Sequence, residues 1–162
     1  MKNISNFITG TDNYINLDIS NQHDKSTWYF KAPEKYNIDL SLAYFGWIEF
    51  VQTFFSGDLA KLNNLDLTPL VKIRCDKLGY TINHFYKINK LNWFGNKFTI
   101  KLDEKNWKKS PNRFNGFDRY DELSKNDFVN CLENINSFEI LGDWLRDIES
   151  VGLDLVSIYK LT

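Results

Sequence analysis

Lys97-Phe98-Thr99-Ile100-Lys101-Leu102 alternates polar and apolar residues without a break. Successive side chains of an extended chain point to opposite faces of a sheet. The stretch therefore predicts a half-buried strand with Phe98, Ile100 and Leu102 inside. The same signature recurs on either side of it. Upstream, Leu70 to Cys75 and Tyr80 to Tyr86 read as two strands around the hairpin-length turn Asp76-Lys77-Leu78-Gly79. Asp39 to Phe55 reads as one long strand, apolar on both faces, which suits the middle of a sandwich or a strand bent at Gly46. Ser26 to Phe30 is a β-branched and aromatic run that stops at Ala32-Pro33. Ser56-Gly57-Asp58 reads as a turn, and Leu59 to Leu67 as a loop or one helical turn. Downstream, Lys108 to Glu122 is the most polar region and reads as a long surface loop. Ser137 to Leu145 and Val151 to Leu161 read as two closing strands.

One helix interrupts this pattern, near residues 124–136. Ser124 and Asp127 have capping-box spacing, with Asp in place of the usual Glu or Gln. Phe128, Cys131, Leu132 and Ile135 then repeat at i, i+3, i+4 and i+7, which makes one apolar stripe. Seven or eight short strands, one short helix and no βαβ alternation predict an all-β fold, an antiparallel β-sandwich or jelly roll.

The 162 residues fit a single domain spanning 1–162, and a chain of this length can bury a full core. The 21 acidic and 20 basic residues leave a net charge of −1. That balance argues against nucleic-acid partners bound through a basic face, and against a polybasic membrane-surface module. No stretch has the roughly 18–20 apolar residues of a membrane span. The N-terminus has no apolar run long enough for a signal peptide. A chain complete as given is expected in the cytoplasm, and one excised from a secreted protein outside the cell. Cys75 and Cys131 form no CxxC or Cys/His cluster. The expectation is two buried free thiols, since free Cys is among the most buried residue types. A structural disulfide, which needs an oxidising compartment, is the alternative.

The order of these residues resembles the laminin domain IV (laminin B) family over roughly residues 26–160. Trp28-Tyr29-Phe30-Lys31-Ala32-Pro33-Glu34-Lys35-Tyr36 resembles the family's aromatic strand that runs into a proline. Leu42-Ala43-Tyr44-Phe45-Gly46-Trp47-Ile48-Glu49-Phe50 takes the place of its Leu-x-Tyr-Gly-Gly strand. Leu70-Val71-Lys72-Ile73 matches its apolar-Val-x-Leu strand. Leu102-Asp103-Glu104-Lys105-Asn106-Trp107 matches its Leu-x-Glu-x-x-Trp motif. Asp127-Phe128-Val129-Asn130-Cys131-Leu132 stands for its short Asp-Phe helix, Ser137-Phe138-Glu139-Ile140-Leu141 for the strand after it, and Leu153 to Ile158 for its last strand. The resemblance implies a jelly-roll β-sandwich similar to galactose-binding and carbohydrate-binding modules, and it implies no enzymatic activity.

The residues themselves support a non-catalytic reading. His23 and His84 have no partner at metal-ligand spacing. His84 lies in a strand-like run and is expected to face solvent. No GxSxG elbow or phosphate-cradling loop is present. Asp103 and Glu104 are the best paired-carboxylate signal for Ca²⁺, but such a site needs about six oxygen ligands, and the other acidic cluster, Asp143, Asp147 and Glu149, reads as a solvated turn. The favoured reading is that Glu104 caps a turn or accepts backbone N–H groups while Trp107 packs beneath it. No cofactor is expected.

Aromatic residues are the remaining candidates, at 16% of the chain. Trp28, Trp47, Trp107 and Trp144 lie in or beside apolar runs and are expected to be core or partly buried. Trp93 and Phe94 sit at a turn, and Arg113, Phe114, Phe117 and Tyr120 sit in the polar loop. Aromatic and Arg side chains are enriched at protein interfaces, and binding residues concentrate on loops. The chain is thus expected to be a binding or scaffold module that takes a protein partner through these loops. The alternative is a carbohydrate-binding, lectin-like module with a glycan as ligand.

Overall fold

The computed structural model describes residues 2–6, 27–60, 62, 68–87, 91–92, 95–112, 119–145 and 150–161. These residues form two antiparallel sheets packed face to face, with one helix, which is the expected sandwich. The four-stranded sheet has the order β1 (Lys2–Asn6), β10 (Ser150–Lys160), β3 (Trp47–Ser56), β6 (Asn96–Lys101). The six-stranded sheet has the order β2 (Tyr29–Lys31), β9 (Ser137–Leu141), β4 (Val71–Cys75), β5 (Tyr80–His84), β7 (Lys108–Pro111), β8 (Asp121–Glu122). No described helix is long and apolar enough to cross a membrane.

The alternation in β6 is realised residue by residue. Asn96, Phe98 and Ile100 are buried, while Lys97, Thr99 and Lys101 are exposed. β3 places Ile48, Phe50, Gln52 and Phe54 on the same inner face. Phe98 stacks on Phe50 at 5.1 Å and on Trp144 at 5.5 Å, and Tyr86 meets its edge at 5.4 Å. Rings from both sheets thus share one core, which accounts for much of the aromatic composition. Gln52 is the polar exception. It is fully buried, and its Nε2 donates to the Leu141 carbonyl of the facing sheet at 2.6 Å. Leaving that N–H₂ unpaired would cost more than the bond contributes.

The long strand expected over Asp39 to Phe55 is two elements. Ser41–Ala43 is a 3-10 turn, and the strand starts only at Trp47. Leu40 donates its N–H to the Leu132 carbonyl, which pins this segment to the helix end. Leu42 consequently points into solvent. Gly46 marks the break for a steric reason: a Cβ there would overlap the Tyr159 carbonyl of β10.

The helix α1 spans Lys125–Glu133. Ser124 Oγ accepts the Asp127 N–H at 3.1 Å, so the serine half of the expected capping box forms. The Asp127 carboxylate does not reach back. It pairs with Lys109 Nζ at 2.7 Å instead. Phe128, Cys131, Leu132 and Ile135 are all buried, as the stripe predicts.

The expectation of free thiols is overturned. Cys75, at the end of β4, is disulfide-bonded to Cys131 of α1, with Cα atoms 5.4 Å apart. The helix is thereby stapled to the six-stranded sheet. The turn after Cys75 closes at Gly79, whose φ of 77° suits a residue without a Cβ.

The long polar loop is also corrected. Lys108–Pro111 pairs with β5, and Asp121–Glu122 pairs with β7, so both ends of that segment are strand. Its backbone completes the sheet where its side chains carry no apolar signal.

Candidate binding surface

Among the residues singled out from the sequence, Trp93, Phe94, Arg113, Phe114 and Phe117 lie outside the described residues. Tyr120 is described. It leads into β8, the outermost strand of the six-stranded sheet, and meets the Phe85 ring edge-on at 4.8 Å and 86°. Both rings are half-buried. Phe85 was absent from the sequence-based set, although Thr81, Asn83 and Phe85 fall at period two.

The cross-strand pairs put Thr81, Asn83, Ser110 and Lys108 on one face of that edge. Thr81 Oγ1 donates to Asn112 Oδ1 at 2.6 Å, and Asn83 Nδ2 donates to Ser110 Oγ at 2.9 Å. Lys108 pairs with Glu122 at 2.5 Å and Arg119 with Asp121 at 2.9 Å. The edge therefore carries a hydrogen-bonded polar cluster, with Thr81 and Asn83 buried and the Lys108–Glu122 and Arg119–Asp121 pairs outermost, and one aromatic pair at its rim.

His84 is corrected: it faces inward, opposite Val71, and is buried. Its Nδ1 lies 2.7 Å from the Asn106 carbonyl oxygen, and its ring sits 5.5 Å from that of Trp107. Burial lowers its pKa, more than the Asn106 carbonyl raises it. Trp107 is buried and donates its indole N–H to the Lys101 carbonyl at 2.9 Å.

The roles of Asp103 and Glu104 differ from the expected ones. Asp103, rather than Glu104, caps the 3-10 turn Glu104–Asn106. Its Oδ1 accepts from the Lys105 and Asn106 N–H groups at 3.1 and 3.0 Å, and from Asn106 Nδ2 at 2.7 Å. Glu104 accepts the Tyr44 hydroxyl at 2.6 Å. That bond holds the Glu104 carboxyl below its ordinary range. Desolvation first, and the same bond second, push the Tyr44 phenol up to about 12. Both carboxylates thus serve the local fold. Among the described residues, no group of three or more His, Cys, Asp or Glu is placed to hold a metal ion.

No curated protein matches the chain in sequence. Among solved structures, the L4b domain of human laminin alpha-2 superposes with a TM-score of 0.65 at 19% identity, covering 84% of this chain and 71% of that one. That likeness concerns the fold. The Laminin B (Domain IV) family matches residues 29–159, from the start of β2 to the penultimate residue of β10. With that match over most of its length, the chain belongs to the laminin B (domain IV) family, a family of non-catalytic modules.

Proposed function

We propose that the chain is a binding module that recognises a protein partner through the loops at the β7–β8 edge of the six-stranded sheet. The observation that carries this is the Tyr120–Phe85 pair, half-buried at the rim of a polar surface. Aromatic anchors ringed by polar groups are the usual form of an interface hot spot. The polar groups around this pair are already satisfied by one another, so a partner meets a preformed surface.

Affinity capture from cells of the source organism tests the reading, with the parent beside Tyr120→Ala and Phe85→Ala. A partner retained by the parent and lost from both variants is expected. An identical set of proteins on all three baits would sink it.

A further inference from the structure

Two described residues other than glycine have positive φ, Phe45 at 66° and Leu155 at 53°. Left-handed backbone is strained for any residue with a Cβ, and such strain gathers at functional positions. Both residues also hold an apolar side chain out in solvent, 46% exposed for Phe45 and 58% for Leu155. Both border the same surface, the outer face of the four-stranded sheet.

On that face Lys101, Trp47 and Tyr159 stand side by side across β6, β3 and β10. The Trp47 and Tyr159 rings are 5.7 Å apart and inclined by only 31°. Phe45 adjoins this row. The Lys101 ammonium lies 5.7 Å from its ring centre and donates to its carbonyl. The next row holds Thr99, Glu49 and Ser157. Leu155 sits in a bulge of β10, between the pairs Asp154–Val51 and Ser157–Glu49. A bulge re-aims side chains, and here it turns a leucine outward on the far side of the Thr99–Glu49–Ser157 row from the aromatic one.

The charges of the face balance among its described side chains. Lys97 pairs with Glu49 at 3.3 Å, and the remaining Lys101 and Asp154 have opposite signs. A charged ligand meets no net complement there. A neutral one with many hydroxyls finds donors and acceptors in one row and ring faces in the other. The C–H bonds of a sugar ring carry slight positive charge, and the faces of aromatic rings slight negative charge. Pairing with a second copy through β6 is disfavoured, because antiparallel self-pairing would bring Lys97 and Lys101 against their like.

We propose that this face is a second binding site, separate from the Tyr120 edge, that takes a neutral glycan. A sugar ring seats on Trp47 and Tyr159, Phe45 and Leu155 flank it, and Glu49, Thr99 and Lys101 meet its hydroxyls.

Affinity electrophoresis in gels containing laminarin, xylan or galactomannan tests the proposal, together with an array of neutral and sulfated glycans. The parent is run beside Phe45→Ala, Trp47→Ala and Tyr120→Ala, with a melting curve for each. At least one neutral polysaccharide is expected to retard the parent. Trp47→Ala and Phe45→Ala are expected to weaken that binding about tenfold or more, the usual cost of losing an aromatic anchor. Tyr120→Ala is expected to bind as the parent does. Phe45→Ala keeps the test sharp if Trp47→Ala lowers the melting temperature, since its ring is half in solvent. No retardation in any gel with a blank array overturns the proposal. Binding confined to sulfated glycans overturns it, as does retention that both variants leave unchanged. Loss in Tyr120→Ala alone also overturns it, by moving the glycan to the other edge.

Discussion

A β-carbon built on Gly142 would fall inside the indole ring of Trp28. The two residues are held in register by the Gly142 N–H, which donates to the Trp28 carbonyl at 3.1 Å. Gly142→Ala is therefore expected to displace the indole and destabilise the fold by about 1–3 kcal/mol, the usual cost of overpacking. Urea denaturation measures it. In a Trp28→Leu background the same substitution should cost clearly less, and equal costs in the two backgrounds would show that the clash is not the cause.

The disulfide between Cys75 and Cys131 closes a loop of 56 residues and joins α1 to β4. Replacing both cysteines with serine is expected to cost about 2–4 kcal/mol. Thiol titration of the purified native protein should find no free thiol. Two reactive thiols after unfolding without reductant would contradict the bridge.

Burial depresses the pKa of His84 below the ordinary 6.5. The unfolded chain takes up this proton near pH 6.5, and the folded chain only at lower pH. Acidification through that interval therefore favours the unfolded state, and the effect is absent at higher pH. Unfolding free energies at pH 8, 6.5 and 5 should fall more steeply for the parent than for His84→Gln. Equal slopes would remove His84 from the acid response.

Tyr44 titrates at about 12 when folded, against an ordinary 10, because of desolvation and its bond to Glu104. The unfolded phenol loses its proton first, so stability declines between pH 10 and pH 12. Tyr44→Phe should flatten part of that decline. Tyr80, also raised to about 12, keeps the rest.

Asp103→Ala removes the cap of the 3-10 turn and is expected to cost about 1 kcal/mol. Calcium or a chelator should leave the parent's melting temperature unchanged, because the Asp103 Oδ1 and the Glu104 carboxylate are already engaged by donors. A rise in melting temperature with calcium would reopen the cation reading.

Strict alternation made β6 legible in the sequence, and the apolar stripe with its serine cap did the same for α1. Each bears the burial pattern its residues require. The start of the long strand expected over Asp39 to Phe55 misled. A tertiary bond from Leu40 to the helix end outweighs the local preference and sets up a 3-10 turn. His84 misled for another reason. Thr81 and Asn83 form one face of β5 and Ile82 and His84 the other, and the polar imidazole hid the fact that His84 belongs with Ile82 on the inner side. β7 was hidden because backbone pairing alone recruits Lys108, Lys109 and Ser110 into the sheet. At the proposed binding surface, Tyr120 was visible as a loop aromatic. Phe85 was not, since its role depends on a strand arriving from the other side of the loop. The Phe45 and Leu155 positions were invisible, because positive φ at a non-glycine residue leaves no trace in composition or period.

The placement of β10 has a consequence for synthesis. It lies between β1 and β3, so the four-stranded sheet joins the beginning, the middle and residues 150–160 of the domain. A chain emerging from the ribosome can pair β3 with β6 and build much of the facing sheet early. It cannot bring β1 into place until nearly the whole domain has been made. Such distant pairings slow folding and leave strand edges open meanwhile. Closure of the sandwich therefore waits until residues 150–160 have been made, and the interval before it is when the nascent domain is most exposed to aggregation.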